Sequence, residues 1–140
     1  CLCFHHTDPS QKNCAVSELV DRGSSIERMN KEISKCNILC MNCHHIEHWH
    51  DLCEDDIKNA TKPKLKARKK KRLFAIEYRK EKGCSDCNIK DPRCLVFHHL
   101  NPEDKTDRIS CLFSSSWEKL KTEIAKCKVL CQNCHCIEHA

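Results

Sequence analysis

Aromatic side chains make up only 5% of this 140-residue chain, and no apolar run approaches the ~18 residues that a membrane-spanning helix needs. Charged residues reach 32%, and the mean hydropathy is -0.66. The shortage of apolar bulk excludes a large hydrophobic core. Absence of a long apolar run excludes a spanning helix, and no secretory leader is legible. The length allows one ordinary domain or two very small ones, and a unit of ~60 residues buries too little apolar surface to be stable unaided. Something other than a core must hold such units together.

What the chain has in quantity is sulfur and imidazole, with 15 cysteines and 10 histidines. An odd cysteine count fits a complete disulfide framework poorly. The cysteines also fall in C-x-x-C pairs followed directly by histidine, which brings two thiolates and an imidazole to one metal ion. Metal is therefore expected in place of disulfides. The expected compartment is intracellular and reducing, cytoplasm or nucleus, without secretion. A net charge of +5 and a pI near 8.5 admit an anionic partner without demanding one.

The chain repeats itself. Glu32 to His48 reads EISKCNILCMNCHHIEH and Glu123 to His139 reads EIAKCKVLCQNCHCIEH, identical at 12 of 17 positions. Upstream, Ser24 to Met29 answers Ser115 to Leu120, and Cys1 to His6 answers Cys94 to His99 after a two-residue shift. This is a duplication. The second copy is fuller, since Cys84-Ser85-Asp86-Cys87 precedes its His-His pair, and the first copy is expected to be truncated at its N-terminus. The divisions expected are a first unit over 1–50, a linker and basic segment over 51–72, and a second unit over 73–140.

In the second copy, Cys94 to His99 suits a strand, and Asn101-Pro102 opens a polar loop running to about Ser116. Trp117, Leu120 and Ile124 lie at helical spacing, Val129-Leu130 form a short strand, and His135 to His139 opens a last helix. The class is small α+β. Between the copies, Thr61 as a cap, Pro63 in the first turn and Gly83 as a stop predict one helix. Its apolar stripe of Leu73, Phe74, Ile76 and Tyr78 is expected to dock on the second unit.

Cys84, Cys87, Cys131 and Cys134 form two C-x-x-C pairs, the pattern of a closed, structural zinc site. Such a site contributes on the order of 10 kcal/mol to the folding of small zinc peptides. His98 and His99 alternate along a strand and so should do different jobs. His135 and His139, at i and i+4, can grip one ion. Three neutral imidazoles leave coordination positions open on a divalent ion, and a fourth histidine suits a general base. A second, purely structural metal site is the alternative. In the first copy Cys40 and Cys43 give half a thiolate site, with Cys1, Cys3, Cys14, Cys36 and Cys53 as candidates for the rest. Cys14 and Cys36, matched to Cys111 and Cys127, suit packing thiols.

Cys84, Cys87, Phe97-His98-His99, Ile109-Ser110, Trp117, Leu120, Glu123-Ile124, Lys126-Cys127 and Cys131-Gln132-Asn133-Cys134-His135 together resemble the HNH endonuclease family, from Leu73 to the C-terminus, and the first copy carries most of the pattern again. The resemblance implies two zinc-stabilised, treble-clef-like ββα-metal modules joined by a basic helix. It implies metal-dependent hydrolysis of phosphodiester bonds, with His99 and His6 as general bases. The implied ligands of a catalytic Mg2+, Mn2+ or Zn2+ are His98, His135 and His139 in the second copy and His5, His44 and His48 in the first. Structural Zn2+ would sit on the thiolates. Many members carry a base-orienting asparagine nine residues before the first helical histidine, where this chain has Lys126 and Lys35. Asn133 lies in the knuckle and is a different residue. The two lysines are expected to contact phosphate.

Eight of the eleven residues from Lys62 to Arg72 are Lys or Arg. Lys66, Arg68, Lys69, Lys70, Lys71 and Arg72 are expected to follow a phosphate backbone, although such a run also serves as a nuclear address or a solvated face. The partner expected is double-stranded DNA. The competing expectation is a zinc module that binds nucleic acid and has lost cleavage.

Overall fold

The computed structural model describes residues 1–49 and 57–140. Cys53 and the first part of the stretch expected to be linker, residues 51–56, lie outside the described residues. The chain is a small α+β protein with two separate two-stranded antiparallel sheets. Strands β1 (Leu2–His6) and β2 (Cys36–Cys40) make one, and β3 (Leu95–His99) and β4 (Cys127–Cys131) make the other. Helices α1 (Val16–Asp21) and α2 (Ile26–Ile33) fill the first connection, and α3 (Met41–Glu47) follows β2. Helix α4 (Pro63–Lys82) leads into the second unit, where α5 (Ile109–Leu112), α6 (Trp117–Ala125) and α7 (Gln132–Glu138) repeat the plan.

The duplication extends to strand register and caps. Leu2 faces Cys40 and His6 faces Cys36, as Leu95 faces Cys131 and His99 faces Cys127. Ser25 and Ser116, matched in the repeat, each cap a helix by accepting from the N–H three residues on, at 3.4 and 3.2 Å. Cys40 and Cys131 cap α3 and α7 through their sulfurs, which accept from the N–H groups of Cys43 and Cys134.

Three expectations shift. Helix α4 is capped at Lys62, one residue after Thr61, with no side-chain cap bond. The loop expected to run unbroken from Asn101 to Ser116 contains α5, because Ile109 and Leu112, three apart, both find apolar cover against Leu120 and Ile124. The last helix begins at Gln132, inside the knuckle, because the Cys131 sulfur is already its cap.

The core belongs mainly to the second unit. Cys84, Cys94, Leu95, Val129, Leu130 and Cys131 form one buried cluster, and Ile109, Leu112, Leu120 and Ile124 another. Tyr78 and Phe97 touch both. Helix α4 docks through two of the four expected residues, Phe74 edge-on to Trp117 at 5.5 Å and Tyr78 against Phe97 at 5.9 Å, and buries Ala75. Gly83 ends it at φ 69°, where a Cβ would lie 3.3 Å from the Ile89 carbonyl. That turn delivers Cys84, whose N–H donates to the same carbonyl at 2.7 Å.

The two units meet knuckle to knuckle. The Asn42 N–H donates to Asn133 Oδ1 at 3.3 Å, and the Asn133 N–H donates to Asn42 Oδ1 at 3.0 Å. These are repeat-equivalent residues exchanging equivalent bonds, the signature of a local two-fold. Ile46 of α3 packs on the Leu95–Leu130 cluster, so the poorer unit borrows the core of the richer one.

Leu130 is fully buried, whereas Ile137 is 67% exposed. Leu130→Ala should cost about 3 kcal/mol in urea unfolding, and Ile137→Ala less than about 0.5 kcal/mol.

Candidate metal centres

Two kinds of side-chain cluster able to hold metal emerge from this frame. The sulfurs of Cys84, Cys87, Cys131 and Cys134 all lie within 4.8 Å of one another. Cys87 and Cys131 are 3.6 Å apart, and four sulfurs at ~2.3 Å around a tetrahedral zinc would be ~3.8 Å apart. The cluster fits. The turn at Gly83 delivers Cys84, β4 ends on Cys131, and Cys134 lies in the first turn of α7. Burial opposes ionisation of Cys84, but the N–H groups of Cys131, Cys87 and Asp86 outweigh it and bring that thiol down to about 7. Cys134 moves the opposite way, raised by burial and by three neighbouring sulfurs. Four thiols this close need a cation if more than one is to ionise.

In the first unit, Cys40 is brought down to about 7 by the Cys43 N–H and the Asn133 side chain. No third thiol joins Cys40 and Cys43 within that spacing among the described residues. Cys1 donates to the Asn133 carbonyl at 3.4 Å and Cys3 to the Leu39 carbonyl at 3.5 Å. Cys36 and Cys127 each donate, at 3.4 Å, to the backbone carbonyl of the glutamate four residues before it, as packing thiols do.

The histidine clusters are present twice. His98, His135 and His139 place a ring nitrogen each within 4.8 Å, as do His5, His44 and His48. Ring centroids in the second unit are 5.2, 5.1 and 4.7 Å apart, and the corresponding ones in the first are 5.4, 5.0 and 4.6 Å. Burial and crowding by His139 hold His98 and His135 below the ordinary histidine value, and burial with His48 and His5 does so for His44. Neutral rings with free lone pairs are what metal ligation needs.

His99 turns away from its neighbour towards α6. Its Nε2 lies 2.9 Å from Glu123 Oε1, and His6 Nε2 lies 2.8 Å from Glu32 Oε1. Both glutamates are buried, at 2% and 3% exposure. Lys126 Nζ donates to Glu123 Oε2 at 2.8 Å, and Lys35 Nζ donates to Glu32 Oε2 at 2.7 Å. Thr106 N–H adds a bond to Glu123, and Asn13 N–H one to Glu32. Burial pushes the Glu123 carboxyl up, but Lys126, the Thr106 and Asp107 N–H groups and His99 hold it near 2. Lys35 and the Asn13 N–H likewise hold Glu32 near 2, against burial. An ionised carboxylate only accepts, so His99 Nε2 carries the proton and, in a neutral ring, Nδ1 has the lone pair. His98, His99, His135 and His139, with Lys105, line one cleft of about 170 Å³.

The residues expected from sequence thus divide. The four thiols and both histidine trios are brought together. Lys126 and Lys35 point into the molecule's own carboxylates, and Lys126 also reaches the Asp104 carbonyl and Thr106 hydroxyl at 2.9 Å. Of the basic run, Lys71 is buried with its ammonium on the Ser115 carbonyl and over the Trp117 ring, whereas Lys66, Arg68, Lys70 and Arg72 are exposed. Glu123 stood in the sequence only as part of the repeated pattern, and neither it nor Glu32 was expected in a site. Their signal was an acid on a helix face otherwise turned inward, with a lysine three residues on in both copies.

Compared with known protein families, curated proteins and solved structures, the chain matches none.

Two outcomes follow from this geometry. Cys87→Ser and Cys131→Ser should each lower bound zinc by one equivalent and unfold the second unit, read by metal analysis and circular dichroism. Glu123 lies below its ordinary value of 4.5, so its contribution to stability is complete above about pH 4.5 and lost as pH falls towards 2. The stability difference between the natural chain and Glu123→Gln should shrink over that interval in urea titrations, the thiol contribution cancelling between the two.

Proposed function

We propose that this chain is a metal-dependent endonuclease of the HNH type, hydrolysing phosphodiester bonds of DNA, with the second unit as its better-formed site. The observation that carries the reading is His99. It lines the same cleft as a three-histidine cluster, while a buried, ionised glutamate holds its other face. The glutamate contact recurs at His6, and the trio at His5, His44 and His48, with matching distances.

In this reading His99 is the general base. Glu123 accepts from Nε2 and so keeps the lone pair on Nδ1, ready to take a proton from the attacking water. Lys126 and the loop N–H groups hold the glutamate ionised and in place. Glu123 thereby takes the orienting part that asparagine plays in HNH relatives, and lysine at 126 supports it. A divalent cation on His98, His135 and His139 would supply Lewis acidity, neutralising the scissile phosphate and stabilising the leaving 3′ oxygen. Lys105, on the rim, adds positive charge beside it.

Supercoiled plasmid incubated with zinc-loaded protein and added magnesium or manganese should be cut. His99→Ala should slow cleavage by ~10²–10⁴-fold at the second site, and His99→Ala with His6→Ala should abolish it. A folded, zinc-bound chain that retards DNA in a gel without cutting it would replace this reading with a nucleic-acid-binding module.

A further inference from the structure

The cleft that holds the histidine trio does not end there. His99, Phe97 and Lys105 also line a second cleft of about 370 Å³, whose far side carries Arg72, Arg108 and Phe113. Arg72, Ser110 and Phe113 are shared in turn with a third, of about 390 Å³, that adds Leu65, Arg68 and Lys69. Leu65, Arg68 and Phe113 continue into a fourth, of about 590 Å³, ending at Lys62 and Lys64. Four clefts that share walls form one groove between α4 and the second unit.

Its lining is one-sided in charge. Among the described residues, nine different lysines and arginines contribute to it and no acidic residue does. The cause is helical periodicity. Leu65, Arg68, Arg72, Ala75 and Arg79 follow one another at three- and four-residue steps, with Lys69 beside Arg68, so one face of α4 looks into the groove. Lys66 and Lys70, equally exposed, stand outside it. Positive charge gathered along a channel attracts an anion.

We infer that this groove holds one strand of the nucleic acid, carrying its phosphates from the histidine cluster past Lys105 and Arg108 to Arg72, Arg68 and Lys62. The inference rests on the endonuclease reading for its direction and on the groove for its existence. From Lys62 to Arg72 the helix rises ~15 Å, on the order of four phosphate steps of a strand at ~3.4 Å each. The bound strand therefore extends well to one side of the bond at His99. Phe113, which lines three of the four clefts, offers an apolar surface for a base along the way.

The test removes equal charge from two faces of one helix. Binding of a fluorescent 20-nucleotide DNA, as duplex and as single strand, is followed by anisotropy against salt, without magnesium or manganese. Arg68→Ala with Arg72→Ala should weaken binding at least tenfold and flatten the salt slope by about 1.4–1.8, whereas Lys66→Ala with Lys70→Ala should change affinity less than threefold. Lys105→Ala with Arg108→Ala should match the first pair. Unchanged zinc content and circular dichroism establish that each variant is folded. Equal losses from both faces, or no binding by the natural chain, would overturn the groove. Binding with the expected pattern but no plasmid cleavage would overturn the endonuclease reading and leave the groove standing. The form of DNA bound more tightly identifies the strand as part of a duplex or free.

Discussion

Across the β3–β4 ladder Leu95 faces Cys131 and His99 faces Cys127, and most of the second unit's chemistry is decided by that register. Side chains alternate along a strand, so a slip of one residue would exchange the two histidines between faces. His98 would then meet α6 and its buried glutamate, and His99 would meet α7. The same ladder ends at Cys131, which closes the thiol cluster, caps α7 and thereby sets the angle at which His135 and His139 approach His98. Two five-residue strands could not hold such a register alone. The thiol cluster at one end and the Glu123 bonds at the other pin it.

Those bonds repeat around Glu32 in the first unit, down to a lysine on the second carboxylate oxygen and a loop N–H on the first. Burying a carboxylate without partners would cost several kcal/mol. Here the ammonium and the loop N–H groups satisfy it, and the loop between β3 and α6 is tied to the helix that follows. The same acid therefore orders a long connection and fixes one histidine's tautomer. A purely apolar helix face would pack as well but would leave His99 free to turn.

Much of this was legible in the residues. Periodicity located α6 and the docking stripe of α4, C-x-x-C spacing located the thiol cluster, and alternation separated His98 from His99. Other features were invisible for identifiable reasons. Helix α5 is only four residues long, and its apolar pair gains meaning only from Leu120 and Ile124, which follow it in the chain. Asn133, recognisable as part of the knuckle, gave no sign that it would bond its own repeat-mate, because a contact between copies leaves no periodic trace in either. Lysine at 126 and 35 suggested a phosphate contact through its charge alone, and only the fold reveals a carboxylate three residues back, turned inward beside it.

The contact between copies also explains how so thin a first unit can persist. Its strands carry exposed Leu2, Phe4 and Ile38, and neither large buried cluster lies within it. What it has is Ile46 seated on the neighbour's core and the reciprocal Asn42–Asn133 pair. Each asparagine satisfies the other's helix-terminal N–H, a group that a knuckle leaves without an intrahelical acceptor. Removing either unit would leave these N–H groups of the other to water and, at Ile46, uncover apolar surface. Duplication here does more than double a site: each copy caps the other's helix, and the two histidine clusters are held by one continuous structure.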